Sequence, residues 1–378
     1  MTRNVRILKA REAMAAIVPA WEALAAAAIE PNPFYEPWML LPALDSFGLE
    51  KNFRLVTIWS GERLDAVVPL EHSPAFKGLP LPSLTSWRHR HCLLCTPLVR
   101  ADGAAQTLAA LIGSLREEAS VVNLQYMPSD GAFHRALVAA GVRCHVLDGY
   151  ERPVLRRAAD AAKYIDSSMS RKDRQELRRR EKRLREHGKL TYVTLQAGED
   201  LDRWIDDFLK LEASGWKGKE GTAMLCNEAN RRFLAETFKA AHQRGRLEIV
   251  GVDLNGKPLG RCTGIIAGEG AYAFKPAYDE AFAKFSPGII AEAARIRNLH
   301  ALPGVQWMDS FTHADNAVMS RLWKDRLTVQ SVAFGTNAAG ALALAALPFL
   351  RWAKQKLSAA SRGRAQPAPA RPRPASAP

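Results

Sequence analysis

Three titratable side chains in this 378-residue sequence stand among apolar neighbours, at positions suited to moving a proton. Glu212 continues the stripe Leu201, Trp204, Ile205, Phe208 and Leu209, whose i, i+3, i+4, i+7, i+8 spacing predicts an amphipathic helix over 199–213. Burial disfavours the ionised form of such a carboxylate and moves it toward the range useful to a general base. A helix-end ion pair with Lys217 or Arg231 is the competing role. Asp309 alternates with Trp307 and Phe311 along a predicted strand, and His313 follows just past its end, where loops build sites. This pair could supply a base and a proton donor, or Asp309 could cap the next helix or hold its loop.

A second kind of chemistry is suggested by Phe285-Ser-Pro-Gly-Ile-Ile290. Ser286 is a preferred N-cap, Pro287 at the first helical position wastes no donor, and Gly288 removes bulk near the free N–H groups. Ser286, Pro287, Gly288 and Ile289 therefore form a helix start able to receive a phosphate, or else an ordinary capped helix. Trp216 and Lys217 fall in a Gly-rich loop, 214–222, where they could stack on or hydrogen-bond an acceptor, although Trp216 could equally plug a core. His89, His91, Cys92 and Cys95 are close enough in sequence to suggest zinc. No second cysteine pair answers them, and Leu93-Leu94 suggests a strand entering the core, so no metal is expected.

The elements that must position these residues are mixed α/β. In the first half the pattern predicts a helix over 11–29, strands over 53–59 and 63–70, a helix over 104–118, a strand over 120–125, a helix over 129–140 and a strand over 142–147. The second half reads as helix 160–186, strand 190–195, helix 199–213, helix 227–244 and strands 246–253, 258–267 and 271–278. Helix 287–301, strand 305–311, helix 314–326 and strand 327–334 follow. Asn255-Gly256 between alternating runs is a strong hairpin signal. In such a sheet a ligand binds where the connection changes direction, here the loop between Tyr278 and Pro287.

Length favours more than one domain, and 47% hydrophobic with 24% charged residues excludes a disordered or fibrous chain. The net charge of +14 would point to nucleic acid or an acidic membrane if it were spread evenly. It is instead concentrated. Residues 170–186 hold nine basic residues against four acids, and 351–378 holds Arg351, Lys354, Lys356, Arg362, Arg364, Arg371 and Arg373 with no acid. The 170–186 helix carries Glu176/Arg180 and Glu181/Arg185 at i, i+4 spacing and only Leu177 and Leu184 as an apolar stripe. It reads as a solvated linker or as a phosphate-binding arm, and its lack of aromatics argues against stacking single-stranded bases. No apolar h-region follows Arg3, Arg6 and Lys9, the apolar run 341–350 is shorter than the roughly 20 residues that span a bilayer, and five cysteines make no disulfide framework. A cytoplasmic protein is expected, with a Pro/Ala/Arg tail too poor in apolar residues to fold.

The order of elements in the second half resembles the GNAT acyltransferase fold. Within that superfamily the chain resembles the CelD-like (cellulose-biosynthesis-type) family, related to the FemAB aminoacyl transferases. The residues that carry the resemblance are Asn32-Pro-Phe-Tyr-Glu-Pro-Trp38, Ser170-Arg-Lys-Asp-Arg-Gln-Glu-Leu-Arg178, Leu211-Glu-Ala-Ser-Gly-Trp-Lys-Gly218, and Tyr278 through Ser286-Pro-Gly288. The usual phosphate-loop glycines are absent, and the segment after the next strand reads Asp309-Ser-Phe-Thr-His-Ala-Asp-Asn316 rather than the common Asp-Phe-x-x-Gly pattern.

The resemblance implies tandem GNAT-like domains, each a mixed, mostly antiparallel sheet flanked by helices. The first, over 1–155, would be degenerate and face the acceptor. The second, over 156–337, would be catalytic and include the basic helix 168–187, with 338–378 an appended apolar-basic segment and tail. It implies acyl-coenzyme A, acetyl-CoA above all, as co-substrate and no metal. Glu212, Asp309 and His313 are the catalytic candidates, and Trp216, Lys217, Lys275 and Tyr278 the substrate-binding ones. The acceptor would be a small molecule or saccharide of envelope or exopolysaccharide metabolism. A transfer-RNA-dependent aminoacyl transferase and a non-catalytic accessory of a polysaccharide synthase, touching anionic membrane through 341–378, are the alternatives.

Overall fold

The computed structural model describes residues 3–313, 316–349 and 352. Its framework is one twisted sheet built from β1 (Arg3–Leu8), β2 (Phe53–Ser60), β3 (Arg63–Ser73), β4 (Ser83–Ser86), β5 (Leu98–Val99), β6 (Val121–Pro128), β7 (His145–Arg156), β8 (Leu190–Thr194), β9 (Leu247–Leu254), β10 (Lys257–Ala267), β11 (Gly270–Tyr278), β12 (Trp307–Asp309) and β13 (Asp325–Gly335). The strand order is β1-β2-β3-β4-β6-β13-β7-β12-β11-β10-β9-β8, with β5 beside β3. All named pairs are antiparallel except β4–β6 and β11–β12. This is the expected mixed, mostly antiparallel α/β architecture with flanking helices.

The sheet passes without interruption through the expected boundary at 155/156. β13, the last strand in the chain, lies between β6 and β7, and β7 also pairs with β12, placing Arg156 opposite Trp307. The halves share a core as well. Phe34 stacks on Phe311 with centroids 4.5 Å apart, and Phe47, on helix Pro37–Phe47, packs 5.1 Å from Phe233 on helix Glu228–Gln243. Aromatic pairs of this kind add about 0.5–1.5 kcal/mol each beyond area burial.

Local chemistry explains the elements that matter for the site. Asn255 and Gly256 both take positive φ, 52° and 74°, as the two-residue β9–β10 hairpin requires. The parallel β11–β12 pairing needs a crossover, supplied by helix Pro287–Ala301. That helix is fastened to the sheet by fully buried Arg295, which meets Glu248 at 3.5 Å and Glu292 at 3.2 Å. Burial raises the Glu248 pKa, while the Arg295 charge and the hydrogen bond from Asn298 oppose the shift.

Several sequence expectations are corrected. The 160–186 helix is two helices, Ala161–Ser168 and Arg171–Arg185, broken where the Ser170 side chain caps the second by accepting from Asp173 N. The 11–29 helix likewise divides into Arg11–Ala15 and Val18–Ala26. The strand over 142–147 begins later and runs on to Arg156, because β13 supplies a long partner. The strand over 305–311 shrinks to Trp307–Asp309, since Phe311 turns to φ 53°. The helix over 314–326 is only Ala317–Leu322; residues 314 and 315 lie outside the described residues. Leu93-Leu94 lies in an extended, non-strand segment whose cysteines are buried, and Glu181 accepts from the Tyr192 hydroxyl rather than pairing with Arg185. Most of the 341–378 segment, including the Pro/Ala/Arg tail, lies outside the described residues.

Candidate active site

Glu212 closes helix Leu201–Ser214 with a buried side chain, as the stripe predicts. Both of its oxygens are occupied: Lys217 Nζ donates at 2.9 Å and Met224 N at 2.8 Å. The carboxylate thereby ties down the turn Trp216–Lys219 and the segment after it. Trp216 is 53% exposed, so it is no core plug; its backbone N–H donates to Glu280 at 2.7 Å. Glu212, Trp216, Lys217 and Tyr278 line one small cleft together with Glu280. Four of the expected site residues thus converge.

Lys275 reaches the same neighbourhood from β11, just past a register shift between Thr263 and Gly264 of β10. Thr263 Oγ1 accepts from Lys275 N at 3.1 Å and donates to Lys275 O at 3.0 Å, which fixes the irregular backbone. Burial presses the Lys275 ammonium down to about 8; Glu212 opposes the shift, while Lys217 and Arg90 add to it. Loop 88–97 of the first half closes over this point. His91 Nε2 lies 3.0 Å from Asn230 Oδ1, and burial together with the Lys275 charge lowers its pKa to about 4. His89 is buried and neutral against Phe47 and Phe233, each 4.8 Å away between centroids. Among the described residues no group of His, Cys, Asp and Glu is arranged to hold a metal.

Asp309 and His313 are placed elsewhere. Asp309 is buried in an ion pair with fully buried Arg152 and accepts from Phe311 N at 2.9 Å, so it holds the turn that ends β12. It lines a cavity of about 290 Å³ between the halves, with Glu30, Arg156 and Trp307, separate from the Glu212 cleft. His313 is exposed, with its ring 6.2 Å from Tyr150. The structure therefore does not join Asp309 and His313 to Glu212.

The helix start at 286–289 is real but differs in detail. Ser286 occupies the N-cap in a left-handed conformation, φ 52°, and its side chain makes no capping bond. Instead its hydroxyl accepts from Arg180 of the basic helix. Ile289 and Ile290 N–H both donate to Ser286 O, and Pro287 has none. Gly288 N–H is left as the one helix-start donor without a partner among the described residues. A Cβ on Gly288 would stand 3.0 Å from Tyr278 Cδ1, so the Tyr278 ring covers this helix start and links it to the Glu212 cleft. Arg180 pairs with Glu176 as its spacing predicts, but its reach to Ser286, and the contact of Asn230 with His91, went unnoticed in the sequence because they span 106 and 139 residues. Arg152 carries no local signal either, since its partner Asp309 lies 157 residues away.

With this geometry in place, the chain can be set beside known proteins. Residues 171–325 match the acetyltransferase (GNAT) domain family. The whole fold superposes on the crystal structure of FemX with a TM-score of 0.54 at 12% identity, covering 88% of this chain and 97% of that one. It also resembles the C-terminal domain of a putative lysylphosphatidylglycerol synthetase from Agrobacterium fabrum, with a TM-score of 0.51, 11% identity and coverages of 89% and 97%. A conserved protein of unknown function from Bacteroides thetaiotaomicron gives 0.51 at 11% identity, with 88% and 100% covered. At such identities the likeness concerns the fold. No curated protein sequence matches the chain.

Proposed function

We propose that this chain transfers an acyl group from acyl-coenzyme A to an amine or hydroxyl acceptor, by direct attack within a ternary complex at the seam between two GNAT-like halves. The observation that carries this reading is Lys275, an amine held near a pKa of 8 where loop 88–97, β11 and the Glu212–Lys217 turn meet. A base with a pKa near the working pH transfers protons efficiently. Neutral Lys275 takes the proton from the attacking N–H or O–H as the new bond to the acyl carbon forms. The C–S bond breaks and the thiolate departs. Glu212 is then a positioning residue that holds Lys217 and the Trp216 turn at the entrance. Exposed Trp216 offers an apolar face to a sugar ring, in keeping with a saccharide acceptor of the kind the CelD-like resemblance implies.

Donor phosphates fit the helix start at Ser286–Ile289. One free N–H is a weak anion site, so the Arg180 guanidinium must contribute much of the attraction there. The same contact favours a second reading, an aminoacyl ester of transfer RNA as donor, because the basic helix reaches the donor end directly. Assaying the purified protein with an acyl-CoA panel and, separately, with charged transfer RNA decides between them. Product with a thioester and none with charged RNA supports the first reading; the reverse result replaces it.

A further inference from the structure

The C-terminal helix is apolar on both faces, but the body covers only one. Residues 338–349 are helical, and Asn337 Oδ1 accepts from Gly340 N at 3.0 Å where the helix begins. Leu344 and Leu347 dock into a cluster with Phe76, Val121 and Leu147 of the first half and Ala333 of β13. The outward side presents Leu342 at 74% exposure, Phe349 at 66% and Trp352 at 55%, with the Phe349 and Trp352 rings 5.8 Å apart. From 338 through 350 the sequence contains no charged residue at all. No helix among the described residues is long and apolar enough to cross a bilayer.

We propose that this outward face is a membrane-surface docking site for anionic lipid. An uncharged apolar face that ends in an aromatic pair matches the depth profile of an interfacial helix, with the aromatic rings at headgroup level. The chain that continues from it carries Arg351, Lys354, Lys356, Arg362, Arg364, Arg371 and Arg373 and no acid, so cations follow the aromatic residues directly. Apolar insertion and basic attraction are the two signals that stable peripheral binding needs, and each is weak alone. A protein groove would satisfy the apolar face but would leave the acid-free basic run without an explanation.

The test is flotation of the full-length protein with vesicles of phosphatidylcholine alone and of phosphatidylcholine mixed with phosphatidylglycerol. The protein is expected to float with the anionic vesicles only, and to be released by high salt. A triple variant, Leu342→Ser, Phe349→Ser and Trp352→Ser, changes only exposed positions and should keep its melting temperature while losing binding by about tenfold or more. Replacing Arg351, Lys354 and Lys356 by Glu should have a similar effect. Failure to float with anionic vesicles, or undiminished flotation of the folded triple variant, overturns the proposal. So does salt-insensitive self-association that the triple variant abolishes without any vesicle binding, since it would mean that a second copy covers this face.

Discussion

At the scale of single residues, buried ion pairs that hold structure differ from a lysine whose pKa is pressed down to about 8. Asp309 and Arg152 are both buried, and each would leave the other an uncompensated charge. Removing one partner of such a pair costs about 3–5 kcal/mol. Asp309→Asn is therefore expected to lower stability to denaturant strongly while the folded fraction keeps its kcat. A catalytic Asp309 would instead show lost turnover at unchanged stability. Glu212 was legible as buried from its helical spacing, and its partner Lys217 was a foreseeable choice. That both oxygens are satisfied was not, because Met224 N comes from a segment with no periodic signal. Lys275 shows the opposite limit. Its depressed pKa depends on Arg90, Lys217 and burial by the other half, none of which is local in sequence.

Among the elements, those with a local code were well specified by the sequence. The 287–301 helix, with Pro at its first position, and the Asn-Gly hairpin appear where expected. The insertion of β13 between β6 and β7 has no local signature, since pairing across some two hundred residues is decided by which edges are left open. The contact between the basic helix and the 287–301 helix start is equally non-local, and it bears on function. Arg180→Ala should raise the KM for the acyl donor by about tenfold, the value of a charge-assisted hydrogen bond, with kcat nearly unchanged. Equal loss of kcat and kcat/KM would place Arg180 in the transition state instead. The seam element 88–97 carries its own pH dependence. His91 titrates near 4 when folded against about 6.5 when unfolded, so its contribution is present above about pH 6.5 and is lost as pH falls toward 4. Melting temperature should drop across that window in the native protein and drop less in His91→Phe.

For the molecule as a whole, the charge of +14 resolves into a basic helix against the 287–301 helix start and an acid-free sequence from 351 onward, not a uniformly cationic body. The continuous sheet and shared aromatic core hold the halves together, which lets a loop from one half enclose a lysine from the other. Half-buried Lys275 has a thermodynamic signature as well. Its folded pKa lies below the unfolded one, so it costs stability below about pH 8, and the cost fades as pH rises toward about 10.5. Lys275→Met should accordingly melt higher than the native protein at neutral pH, with the difference closing in alkali. The central claim is tested most directly by the pH dependence of kcat/KM for acyl transfer from the preferred acyl-CoA. The rate should rise with pH to a plateau with its midpoint near 8, as neutral Lys275 accumulates. A rate that is flat through that region, or that falls as Lys275 loses its proton, would contradict its role as the base.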